Sequence, residues 1–206
     1  MPTRTGQRLR VVRSGMIAAV VGEVRRPPSP SEANLRRYER SMRELAERYP
    51  ALLPARFGTV MQAAELMFVL SSRGPALSRA LQAVRNRAQM TVRLVTRSEK
   101  ARQPPRAIHQ RVAPASWSGR DYLIARARAA AAERTVPEFE PLRAAVMQWV
   151  RDERVERQGR VSTVYHLIPR GSTERYRQAL EQAAAAEGVP AIVSGPWPPF
   201  AFTTSE

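Results

Sequence analysis

Apolar residues never run unbroken for longer than the six positions of Met16–Val21. A helix that spans a bilayer needs roughly 20 consecutive apolar residues, so no segment predicts a membrane span. The apolar material is dealt out in short stretches, separated by 17 prolines and 10 glycines. A chain of 206 residues with 43% hydrophobic composition can still bury a core, in one large layered domain or two small ones. The first residues are basic, but no apolar signal core with a small-residue cleavage site follows them. The sequence therefore reads as soluble and cytoplasmic.

Little chemistry-bearing material is available. The absence of cysteine excludes a disulfide framework, a thiolate zinc site and a cysteine nucleophile. Histidine occurs only at His109 and His166, and neither has a spacing that suggests a triad or a metal site. His166, in Val164-Tyr165-His166-Leu167, reads as a histidine at the edge of a core. No GxxxxGK[ST] or GxGxxG loop is present to cradle a phosphate. Asp152, Glu153 and Glu156 alternate with Arg151, Arg154 and Arg157, which reads as a solvated helix face laced with ion pairs. The expectation is a non-enzymatic protein without catalytic residues, metal, cofactor or small-molecule substrate.

The net charge is +16, and only Lys100 among the 34 basic residues is not an arginine. The excess is confined to residues 1–120, because residues 121–206 carry eleven basic and eleven acidic groups. Such asymmetry fits a nucleic-acid surface or an acidic protein partner. The devices of sequence-specific nucleic-acid binding are missing, however. Arg93 and Arg97 share a strand with no aromatic between them to stack a base. The basic stretch over 73–120 is better read as steering toward acidic faces of protein partners.

Hydrophobic periodicity predicts an α+β fold. Arg8–Val12 and Met16–Val21 form a hairpin around Gly15, and Ser29-Pro30 with Glu32 opens a helix over 31–48. Leu52–Phe57 reads as an edge strand, and Thr59 with Gln62 as a capping box for a helix over Met61–Leu70 with Leu66, Met67 and Leu70 inward. After Gly74-Pro75 a further helix runs to about residue 87. Met90–Val95 alternates as a strand, 98–118 is a long basic loop, and helices follow over Gly119–Arg134 and from Pro141. Val161–Ile168 is a strand, Ser172–Glu187 a helix, and Ala191–Val193 a short last strand. We expect an N-terminal α+β domain over 1–88 and a C-terminal α+β domain over 89–206 that includes the tail.

Two segments are more distinctive. In Leu53-Pro54-Ala55-Arg56-Phe57-Gly58-Thr59, turn, cap and core roles account for Phe57, Gly58 and Thr59. Arg56 either pairs with a helix carboxylate or faces a partner. In Gly195-Pro196-Trp197-Pro198-Pro199-Phe200-Ala201-Phe202, three prolines in four positions oppose helix and regular ladder pairing. Trp197, Phe200 and Phe202 then either fold back over the molecule's own sheet or form a stiff aromatic strip for another protein.

Together these two segments resemble the gas vesicle GvpF/GvpL family, which carries a Leu-Pro-x-Arg-Phe-Gly-Thr stretch early and a Gly-Pro-Trp-Pro-Pro-aromatic stretch near the C-terminus. Asp121-Tyr122-Leu123 with Arg126, after Gly119, resembles a third family feature, so the likeness spans roughly residues 16 to 203. The chain departs from the pattern in a shortened N-terminal region, in Tyr38 where many members have histidine, and in Gln89 where an acidic residue often stands. The resemblance implies two domains, each a variation on the ferredoxin-like α+β sandwich with antiparallel sheets. It also implies an accessory role in building gas vesicles, the structures that confer buoyancy. The implied partners are the hydrophobic shell subunit and other accessory proteins, with candidate contacts at Arg56, Phe57, Trp197, Phe200 and Phe202. A minor structural component of the vesicle shell, or a basic nucleic-acid-binding module, are the alternatives.

Overall fold

The antiparallel ladder between β1 (Leu9–Ser14) and β2 (Ile17–Gly22) closes at Ser14 opposite Ile17, leaving Gly15 and Met16 as a two-residue turn. Gly15 has φ +56°, the left-handed conformation that such a turn needs and that side chains resist. The computed structural model describes residues 9–24, 26–95 and 135–203. The expected loop over 98–118, His109, the expected helix over Gly119–Arg134 and the Asp121-Tyr122-Leu123 feature all lie outside those residues. The chain divides into two units: Met1–Gln89 with Pro196–Glu206, and Met90–Gly195. The aromatic tail thus belongs with the first unit, whereas the sequence assigns it to a domain over 89–206.

In the first unit the hairpin is followed by α1 (Glu32–Arg48), α2 (Ala63–Ser72) and α3 (Gly74–Ala83). Helix α1 is capped by Ser31, whose hydroxyl accepts the Asn34 N–H at 3.4 Å, and not by Ser29 as the sequence suggests. Ser29 stays outside the helix, where its carbonyl accepts the Ser31 N–H at 2.8 Å and the Asn34 side-chain amide at 3.1 Å. Glu32 closes no capping box, because it pairs with Arg36 one turn on.

Residues 51–56 form no strand. Pro54 has no N–H to offer a ladder and is buried, and the Ala55 carbonyl is taken by the Tyr38 hydroxyl. The capping box of Thr59 and Gln62 does not form either. Thr59 closes a turn onto the Arg56 carbonyl at 3.1 Å, and Gln62 precedes α2 without a side-chain cap bond. Helix α2 packs on β1 and on α3, and α3 packs on β2. Leu70 is buried and Leu66 half-buried, but Met67 points outward, contrary to expectation. After α3 the chain turns through Asn86 at φ +55°, whose N–H binds the Pro50 carbonyl at 2.7 Å.

The second unit is built on a four-stranded sheet in the order β4-β5-β3-β6, where β3 is Arg87–Val95, β4 Asp152–Gln158, β5 Val161–Pro169 and β6 Ala191–Trp197. With α4 (Glu140–Val146) and α5 (Thr173–Ala186), the described elements follow the β-α-β-β-α-β order of a ferredoxin-like fold. The molecule is α+β with two antiparallel sheets, as the sequence implies. Strand β3, interior in the sheet, is buried without a break from Ala88 to Val92 and alternates in burial only from Val92 to Val95, where Arg93 and Val95 are exposed. Strand β6 runs on through Pro196 to Trp197, longer than expected, because an edge strand tolerates a residue that cannot donate.

The core of this unit joins Met90, Val92 and Leu94 of β3 to Phe139, Leu142, Val146, Val164, Ile168, Tyr176 and Leu180. Each is 1% exposed or less, and burial of such a side chain contributes about 1.5–3 kcal/mol. Asp152–Gln158 is a strand, not a solvated helix face. Its alternating charges are the two faces of a hairpin arm that pairs Glu153 with His166 and Val155 with Val164.

Candidate protein-binding site

Helix α1 supplies the centre of the site through Tyr38 and Arg43, which its register places little more than one turn apart. The extended segment before Phe57 and the tail after Trp197 both come to this helix. The Tyr38 ring meets Phe57 edge-on, with centroids 5.6 Å apart and planes at 77°, and Phe200 at 6.2 Å in a tilted arrangement. Its hydroxyl donates to the Ala55 carbonyl. Half-burial of this ring pushes its phenol pKa up, so the proton it donates is held firmly. The Arg43 guanidinium lies 4.2 Å from the centroid of the Trp197 ring, a cation–π contact, while its other side binds Glu39 at 2.8 Å.

The tail is shaped by its own backbone. Pro198 and Pro199 are buried, and a 3-10 turn over Phe200–Phe202 follows. The Phe202 N–H binds the Pro199 carbonyl at 3.1 Å, and the Thr203 hydroxyl binds that of Phe200 at 3.0 Å. The Ala201 N–H donates to Gln89 Oε1 at 2.8 Å, which fixes the tail to the start of β3. This contact gives a physical reason for an amide at position 89: its oxygen accepts a backbone N–H without bringing a charge into a buried position. Before the tail, the Arg177 guanidinium holds the Gly195 carbonyl.

The five residues singled out in the sequence therefore divide. Phe57, Trp197 and Phe200 are half-buried around α1 and are brought together by Tyr38 and Arg43. Phe202 is buried, at 6% exposure, and offers no surface to a partner. Arg56 is exposed, and among the described residues no ion pair holds its guanidinium. Gly58, at φ +82°, turns the chain directly after Phe57 and lets the Arg56 side chain stay at the surface. Sequence reasoning found the two flanking segments but not Arg43, the residue under Trp197. The signal it lacked was a long-range contact, since 154 residues separate the two positions.

A second polar constellation, in the second unit, was also missed. His166 is fully buried, with Nε2 2.7 Å from Glu153 Oε2 and Nδ1 2.7 Å from the Tyr176 hydroxyl. Arg143 grips both carboxylate oxygens of Glu153, at 3.0 and 3.1 Å, and reaches Glu140 at 3.0 Å. Burial pushes the Glu153 carboxyl up, but hydrogen bonds from His166 and Arg143 outweigh it and hold the group below its ordinary value. Burial, then the Glu153 charge, pushes the Tyr176 phenol well up, so Tyr176 keeps its proton. The network is complete when Tyr176 donates to Nδ1 and Nε2–H donates to Glu153. It ties β4, β5, α4 and α5 together under the sheet. Among the described residues no group of three or more His, Cys, Asp or Glu side chains could hold a metal ion, and no helix is long and apolar enough to cross a membrane.

An α+β chain that gathers half-buried aromatic rings and arginines at one surface has the side-chain chemistry of protein interfaces. Its residues 3–204 match the model of the gas vesicle synthesis protein GvpL/GvpF family, and the chain belongs to that family. Two solved structures share its fold. The gas vesicle protein GvpF from Anabaena sp. PCC7120 superposes with a TM-score of 0.70 at 13% identity, covering 100% of this chain and 92% of that one. GvpF from Microcystis aeruginosa gives 0.71 at 11% identity, with the same two coverages. No curated protein sequence gives a significant match.

Proposed function

We propose that this protein is a non-enzymatic, chaperone-like accessory factor of gas vesicle assembly, which binds the hydrophobic shell subunit or another accessory protein while a vesicle is nucleated in the cytoplasm. Membership of the gas vesicle synthesis family supports the process, and the aromatic cluster around Tyr38 supports the mode of action. A very hydrophobic shell subunit aggregates in water unless its apolar surface is covered. Phe57, Trp197 and Phe200 offer apolar area already ordered by α1, so little conformational entropy is lost when a partner covers it. Arg56, exposed beside Phe57, borders that area with positive charge suited to a carboxylate on the partner.

The test is co-production of the shell subunit with this protein or with its Phe57→Ala, Phe200→Ala variant. Wild type should keep the shell subunit in the soluble fraction, and the variant, still folded by near-ultraviolet circular dichroism, should lose it to aggregate. Equal soluble shell subunit in both would remove the aromatic cluster from the function. Retention of this protein on washed, purified vesicles would instead make it a minor shell component.

A further inference from the structure

Helix α2 is apolar on both faces, although only one of them is packed. Leu66, Val69 and Leu70 face inward, where the helix meets β1 and α3. On the other side Ala64, Met67, Phe68 and Ser71 fall at i, i+3, i+4 and i+7 and form a continuous outward stripe. Phe68 is 70% exposed and Met67 42%, and Val60 and Met61 extend the apolar area at the N-terminal end, 48% and 36% exposed. The pattern of two large side chains flanked by the small Ala64 and Ser71 is that of ridges and grooves, the relief into which another helix packs.

The charge along this part of the chain selects among occupants. Between Pro50 and Gln89 there are five arginines and one acidic residue, Glu65. Arg56, ahead of α2, and Arg73, its C-cap residue, are both exposed. A second copy of this chain would bring the same arginines and a net charge of +16 against them. A helix of ten residues is about 15 Å long, which suits one partner helix better than a bilayer surface. We propose that the outward face of α2 is a docking surface for a helix of another protein, one whose apolar stripe is bordered by carboxylates. This surface is separate from the aromatic cluster around Tyr38, and the proposal stands whether or not that cluster binds the shell subunit.

The experiment uses the full chain and a fluorescent synthetic peptide of roughly five helical turns, with leucine and alanine on one face and glutamate on both borders. A counterpart carries lysine in place of glutamate. The expected result is that the glutamate peptide binds, while the lysine peptide binds at least about tenfold more weakly. Met67→Ser, Phe68→Ser should lose about tenfold or more for the glutamate peptide, with an unchanged melting temperature because both side chains face solvent. If the double variant melts lower, Phe68→Ser alone serves, with a loss in the same direction expected. Equal affinity for the two peptides, or binding untouched by either variant, overturns the proposal. So does a dimer in sedimentation that Phe68→Ser dissolves, or Phe68-dependent binding to phosphatidylglycerol vesicles without peptide binding. A photo-crosslinker at position 68 that reacts only within its own chain overturns it too.

Discussion

The aromatic clusters around His166 in the second unit and around Tyr38 in the first are buried to different degrees. In the second, the rings of Phe139 and Tyr176 and the imidazole of His166 are fully enclosed, and every nitrogen and oxygen of the His166 network finds a partner. In the first, Tyr38, Phe57, Trp197 and Phe200 meet one another yet stay half-buried, and Phe68 stands in solvent. A closed core contributes stability and leaves nothing for a partner to cover. A half-open cluster gives up part of that stability and keeps apolar area available for binding. The difference supports placing the proposed contact surfaces in the first unit.

Truncation should expose this contrast most strongly in the second core. Phe139→Ala or Leu142→Ala should cost about 3–5 kcal/mol in urea unfolding, since each leaves a cavity among fully buried neighbours. Phe57→Ala should cost about half as much or less, because its ring is only half-buried. A loss at Phe57 equal to that at Phe139 would erase the distinction between the two units.

Glu153→Ala comes next, at about 2–4 kcal/mol, because it leaves buried His166 without its acceptor and takes from Arg143 one of its two carboxylate partners. The same residue sets an acid limb. Its carboxyl is held below the ordinary value of 4.5 in the folded protein, so the stability it contributes is present above that value. That contribution drains away as pH falls through the folded value. Glu153→Gln should flatten this limb in a series of unfolding curves taken downward from neutral pH; a limb of unchanged slope would assign it to other carboxylates.

Smaller effects are expected around α1. Tyr38→Phe should cost about 0.5–1.5 kcal/mol, the hydroxyl's bond to the Ala55 carbonyl being lost while the ring contacts remain. Arg43→Met should cost about 0.5–1 kcal/mol and alter the fluorescence of Trp197, whose ring it covers. Unchanged emission would place the guanidinium elsewhere in solution.

Much of the fold was legible in the sequence because it rests on local signals. Gly15 marks the hairpin turn, the spacing of Leu35, Tyr38, Met42 and Leu45 marks α1, and Ser172–Glu187 nearly coincides with α5. The misreadings have long-range causes. Leu52–Phe57 has strand composition, but its Ala55 carbonyl goes to Tyr38 and not to a ladder. The charges at 152–156 have a helix-like look, and only pairing with β5 shows their period to be two. That pairing was open to inference, since a turn at Gly159-Arg160 sets Glu153 opposite His166. The flanks of the aromatic site were visible as motifs. Its centre was not, because Arg43 and Trp197 meet only in the folded chain.

The half-open cluster on α1 is the surface we propose for holding an apolar gas vesicle protein. It is tested most directly by measuring the affinity of the purified protein for the shell subunit, kept monomeric in dilute detergent. Wild type is compared with Phe57→Ala, Phe200→Ala and with Leu180→Ala, a second-unit core variant. The first variant should bind at least about tenfold more weakly, while Leu180→Ala, though less stable, should bind like wild type at a temperature where it is folded. Undiminished binding by a folded Phe57→Ala, Phe200→Ala protein would contradict the proposal.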